Sequence, residues 1–73
     1  MNSQTQTVEI VVNGQSRAVP AMATVEAVLV FLQVPLERVA VELNRRIVRR
    51  PDWGSTPVPA GGQLEIVQFV GGG

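Results

Sequence analysis

Thr7-Val8-Glu9-Ile10-Val11-Val12-Asn13-Gly14-Gln15-Ser16-Arg17-Ala18-Val19 is the stretch from which the fold is read. Val8, Ile10 and Val12 alternate with Thr7, Glu9 and Val11, the period-two pattern of a strand with one buried face. Asn13-Gly14 comes next, and both residues tolerate the positive φ that a two-residue hairpin turn demands. Gln15 to Val19 returns as a second strand, and Pro20 closes it because proline has no N–H to give to a ladder. An antiparallel hairpin therefore opens the fold. The polar residues 1–6 before it are expected to be disordered.

Beyond Pro20 the period changes. Thr24 is placed as a helix N-cap, with Glu26 near the positive end of the helix dipole. Val25, Val28, Leu29 and Leu32 then fall on one helical face, and Pro35 is expected to end the helix near Gln33. Val39, Val41 and Leu43 alternate again as a third strand. Asn44-Arg45-Arg46 reads as a turn and Ile47-Val48 as a short fourth strand. Pro51 to Pro59 reads as irregular, with Trp53 folded back over the core. Pro59-Ala60-Gly61-Gly62 is another turn, and a last strand runs from Leu64 to Val70.

This order predicts one α+β domain over residues 1–73: a mixed sheet of four to five strands with one main helix packed across one face. The first and last strands are expected to be parallel neighbours. Val8, Ile10, Val12, Val25, Val28, Leu29, Leu32, Val41, Leu43, Leu64 and Ile66 make up the expected core.

Composition narrows the function. Apolar residues make up 45% of the chain and aromatics 4%, so the core is aliphatic. No apolar run is long enough to span a bilayer and no cysteine is present, so the expectation is a cytoplasmic protein without disulfides or membrane contact. His, Cys, Tyr and Lys are all missing. Those side chains supply most acid–base, nucleophilic and zinc-ligating chemistry, so the composition points away from an autonomous enzyme and away from a metal site. The six acids are scattered singly.

Phe69-Val70-Gly71-Gly72-Gly73 is the stretch with most to say about function. At average glycine usage, three glycines at a chosen place arise by chance with a probability of roughly 0.03%. A strand thus runs into a tail, residues 71–73, expected to be flexible and without steric bulk. Such a tail fits a narrow site on another protein and presents one reactive group there, the carboxylate of Gly73.

In order, the Asn13-Gly14 turn, Thr24-Val25, Val41-Glu42-Leu43-Asn44, Ile47-Val48, Arg49, Asp52, Trp53, Gly61-Gly62 and the Gly72-Gly73 end resemble the ThiS family, the sulfur carriers of thiamin biosynthesis. Gln63 departs from the pattern, since many relatives carry Asp after the glycine pair; this is a turn position. The resemblance implies a ubiquitin-like β-grasp fold and a Gly73 carboxylate as the working group. It also implies a ThiF-like adenylating enzyme that uses Mg-ATP, a persulfide sulfur donor, and the thiazole synthase ThiG as acceptor. No cofactor would be bound by this chain. The chemistry is reasonable on its own terms: a free α-carboxyl has a pKa of about 3.5, so at neutral pH it is an anion and needs activation before sulfur can attack. Gly71 gives reach, and side chains at Gly72 or Gly73 would crowd the channel and the approaching sulfur.

Two further readings stay open. A MoaD-like small subunit of molybdopterin synthase would use the same terminal chemistry, and a ubiquitin-like modifier would join Gly73 to lysines of other proteins. If Leu64 and Ile66 point inward, Glu65, Val67 and Phe69 face the other way. Val67, Phe69 and Val70 are then either a docking site for a partner or a cover for the open sheet face. Arg45, Arg46, Arg49 and Arg50 form the one charge cluster. With zero net charge and no stacking aromatics among them, they point away from nucleic acid and leave an acidic partner surface as a minor role.

Overall fold

The structure is a computed structural model that describes residues 6–69. Strand β1 (Thr7–Val12) turns at Asn13-Gly14 into β2 (Gln15–Pro20), with Ile10 opposite Arg17 and Val12 opposite Gln15. Both turn residues have positive φ, 50° and 83°, as the sequence demands of a hairpin turn whose twist matches its strands. Gln6 is already engaged, its carbonyl accepting the Ala21 N–H at 2.8 Å. Residues 1–5 of the expected disordered lead lie outside the described residues.

Helix α1 (Val25–Phe31) starts at Thr24, whose hydroxyl accepts the Ala27 N–H at 3.2 Å. It is shorter at its C-terminal end than the proline rule suggests. Gln33 enters the left-handed region at φ 62°, its N–H donating to Val30, while Val34 donates to Leu29. That pair of bonds satisfies the last carbonyls of the helix, and Val34 packs back against the core. The helix is thus stopped by its own cap, before Pro35 can act.

Strand β3 (Val39–Leu43) and β4 (Arg46–Val48) form a second hairpin. Its turn is Asn44-Arg45 alone, both at positive φ (52° and 70°), so β4 begins one residue earlier than expected. Val48 then faces Val41 and Ile47 faces Glu42. The segment expected to be irregular begins with a 3-10 helix (Arg50–Ser55), opened by Pro51, whose fixed φ suits a first helical turn. The helix ends as the hydroxyls of Ser55 and Thr56 donate to the Asp52 carbonyl. It is tied to the start of α1 by two bonds, Val25 N–H to Thr56 and Val58 N–H to Ala23.

Strand β5 (Gln63–Gln68) runs through the middle of a five-stranded mixed sheet of order β2-β1-β5-β3-β4. It is parallel to β1 and antiparallel to β3, with Val12 and Leu43 both opposite Leu64. Parallel pairing of the chain's first and last strands is the expectation borne out. Helix α1 covers one face. Between helix and sheet lie Ile10, Val12, Val19, Val25, Val28, Leu29, Val41, Leu43, Val58 and Leu64, with Trp53 closing the side at 3% exposure. Val8, Leu32 and Ile66 pack at the margin of this core. Trp53 is fixed by its indole N–H, which donates to the Val48 carbonyl at 2.9 Å. Every buried side-chain polar atom among the described residues has a partner.

Candidate functional site

The alternation of β5 decides which of its residues face solvent. Leu64 is fully buried and Ile66 half-buried beneath the helix, so Glu65 and Val67 stand on the opposite, uncovered face, and Phe69 is exposed just beyond the strand. Val67 and Phe69 are 56% and 58% exposed. Phe69 continues the strand register, its N–H donating to the Arg38 carbonyl at 2.8 Å. Both residues therefore keep more than half of their surface exposed after folding. Val70, the third residue expected to meet a partner, and Gly71, Gly72 and Gly73 of the tail lie outside the described residues.

The neighbouring strands add residues that the sequence pattern did not assign. Ala40 lies opposite Val67 on β3, Glu42 lies opposite Glu65, and Ile47 lies opposite Glu42 on β4. Ile47 is 74% exposed. The uncovered face thus carries Ile47, Ala40, Val67 and Phe69 as an apolar strip. Ile47 was missed because a three-residue turn shifts the second hairpin by one position. A two-residue Asn44-Arg45 turn, legible as a left-handed-tolerant pair, places it correctly.

Within the strip, Glu42 and Glu65 are directly opposite each other across adjacent strands. Like charges in that arrangement tend to weaken a sheet.

The arginines do not form one patch. Arg45 lies in the second hairpin turn and Arg46 opens β4, whereas Arg49 and Arg50 come after its end, a strand length of about 10 Å away. All four are exposed. The Arg50 guanidinium lies 5.6 Å from the centre of the Trp53 ring, so it covers the indole instead of facing a partner freely.

Three surface hollows of about 290, 420 and 520 Å³ hold between them one arginine, Arg17, and one carboxylate, Glu26. Among the described residues no three acidic side chains come together as a metal site, and no helix is long and apolar enough to cross a membrane.

A helix across one face of a five-stranded mixed sheet, with β1 and β5 parallel at its centre, defines a ubiquitin-like β-grasp protein. The chain belongs to the ThiS family, whose model matches residues 5–73. Its fold is similar to the crystal structure of the thiamine biosynthesis protein ThiS from Geobacter metallireducens, at a TM-score of 0.80 and 33% identity, over 90% of this chain and all of that one. Two curated relatives, both thiazole synthases, are longer. The protein of Paramagnetospirillum magneticum is 45% identical over 65 residues, and that of Magnetococcus marinus 37% over 65 residues. Each match covers 89% of this chain, which spans only 20% of the length of either relative.

Proposed function

We propose that this chain is a sulfur carrier in thiamin biosynthesis, a protein co-substrate and not a catalyst. The observation that carries the reading is an exposed Val67 on β5 and an exposed Phe69 just beyond it, a few residues before Gly71-Gly72-Gly73 in sequence, in a chain of the ThiS family. A ThiF-like enzyme docks on the strip of Ile47, Ala40, Val67 and Phe69, with Val70 completing the contact, and draws the tail into its nucleotide site. There the Gly73 carboxylate attacks the α-phosphorus of Mg-ATP and pyrophosphate leaves, giving an acyl adenylate. Sulfur from a persulfide donor then displaces AMP, and a thiol reductant releases the product as a thiocarboxylate. The carrier binds no cofactor itself, because the magnesium, the nucleotide and the nucleophilic sulfur belong to its partners.

The acceptor is a thiazole synthase of the ThiG type. Support comes from the two relatives, where a segment similar to this chain forms part of a longer protein called thiazole synthase. A carrier and its acceptor joined in one polypeptide are functionally paired. The same observation weighs against a molybdopterin synthase subunit and against a general protein modifier. In this reading the carrier acts in the cytoplasm.

The test is competitive. Thiocarboxylated chain is supplied to a thiazole synthase with its sugar and amine co-substrates, and separately to the large subunit of molybdopterin synthase with its own substrate. Sulfur transfer to thiazole is expected from the first. Transfer only with the second, or stable attachment to protein lysines, overturns the assignment.

A further inference from the structure

We propose that Asn13 is a positioning residue for the tail: its carboxamide continues the β1 ladder after the backbone has turned away, and holds β5 in line at the last point the first hairpin reaches. The inference rests on the carrier reading. β1 pairs with β5 only at Val11–Gln63 and Val12–Leu64. At Asn13 the backbone leaves for the turn, yet its N–H still donates to the Leu64 carbonyl at 2.9 Å. The side chain then takes over. Asn13 Oδ1 accepts the Ile66 N–H at 2.8 Å, and Asn13 Nδ2 donates to the Ile66 carbonyl at 3.1 Å. A carboxamide offers the same donor and acceptor as a peptide group, so it occupies the ladder position that the next residue of a longer β1 would fill.

The residues beyond Ile66 make this contact matter. Alternate residues of β5 turn their backbone groups to opposite edges, and β3 holds the other edge as far as Phe69. On the hairpin-facing edge the next residue is Gln68, which has a register partner on β3, Val39, and none on β1 among the described residues. Asn13 is therefore the last contact from the first hairpin on that edge among the described residues. With it, the strand end that carries Val67 and leads to Phe69 stays in line with the sheet. Without it, the strand end is held from one side only and frays.

The turn alone does not require asparagine. At φ 50° glycine, asparagine and aspartate are all accommodated. Only asparagine among them brings both a donor and an acceptor to Ile66. Glycine keeps the turn and loses both bonds, while aspartate keeps the acceptor and sets a second oxygen against the Ile66 carbonyl.

The full chain is compared with its Asn13→Gly and Asn13→Asp variants. Amide exchange at Ile66 is expected to accelerate roughly tenfold in Asn13→Gly, with Val28 and Leu29 in the helix unchanged. In Asn13→Asp it is expected to be intermediate. With adenylating enzyme, Mg-ATP and sulfur donor, kcat for thiocarboxylate formation is expected to fall severalfold in Asn13→Gly while KM stays within about twofold. A change in KM alone would place Asn13 in docking and overturn the positioning role. Parent-like exchange at Ile66, or parent-like kcat despite faster exchange, overturns the proposal as well. A parent chain that gains no sulfur refutes the carrier reading itself, and the exchange data then report separately whether the clamp exists.

Discussion

Trp53→Phe separates a structural tryptophan from a ligand-stacking one. Trp53 is 3% exposed, and its indole N–H donates to the Val48 carbonyl at 2.9 Å. Phenylalanine keeps an aromatic ring in the site but has no donor and is smaller. The lost hydrogen bond costs about 1 kcal/mol. On the order of 50 Å² of apolar burial is lost as well, at roughly 25 cal/mol per Å² another 1 kcal/mol or so. The expected destabilisation is therefore about 2 kcal/mol, against a total of roughly 4–11 kcal/mol for a domain of this length. Alanine would cost about 3–5 kcal/mol and risk unfolding the chain outright, so phenylalanine is the informative choice. In a thermal melt followed by far-UV circular dichroism, Tm should fall by about 8–16 °C. Below that Tm, thiocarboxylate formation should match the parent. A Tm within about 3 °C of the parent, a shift worth less than 1 kcal/mol, refutes the reasoning that Trp53 closes the core.

Other perturbations separate folding from docking. Thr24→Ala removes the hydroxyl that caps α1 and should lower stability by about 1 kcal/mol, read as a Tm drop of about 4–8 °C. Gly62→Ala places a Cβ 3.0 Å from the Pro59 carbonyl oxygen, and the same melt should show a loss of about 1–3 kcal/mol. Phe69→Ala should leave Tm unchanged and raise KM for the adenylating enzyme; an unchanged KM would remove Phe69 from the docking face. Glu65→Gln should raise Tm slightly at low salt by relieving the pair with Glu42, while slowing association with that enzyme.

The elements declared by local chemistry were legible in the sequence. Asn13-Gly14 announced its hairpin, Thr24 its helix, and the alternation in Val39–Leu43 and from Leu64 onward gave two strands their inward faces. Trp53 was legible as a cover for the core. Features set by partners distant in sequence were not. Val19 and Val58 are buried because β1 and the Ala23–Val58 bond bring them under the helix, and neither stands in a long pattern of its own. The 3-10 helix depends on the tie between Thr56 and Val25, across the fold. Asn13 was read for its backbone, but its side chain reaches Ile66, 53 positions away, and no local rule signals that bond. On the proposed docking face Val67 and Phe69 were legible from the strand alternation. Ile47 and the Glu42–Glu65 pair needed the register.

The carrier role stands most directly on the chemical state of Gly73. The chain, expressed with its own sulfur machinery or incubated with an adenylating enzyme, Mg-ATP and a sulfur donor, is weighed intact by mass spectrometry. A carrier gains a mass equal to replacing one oxygen by sulfur, localised to Gly73, abolished by deleting that residue and strongly reduced by Gly72→Ala. An unchanged mass with active partners and a verified Gly73 terminus contradicts that role.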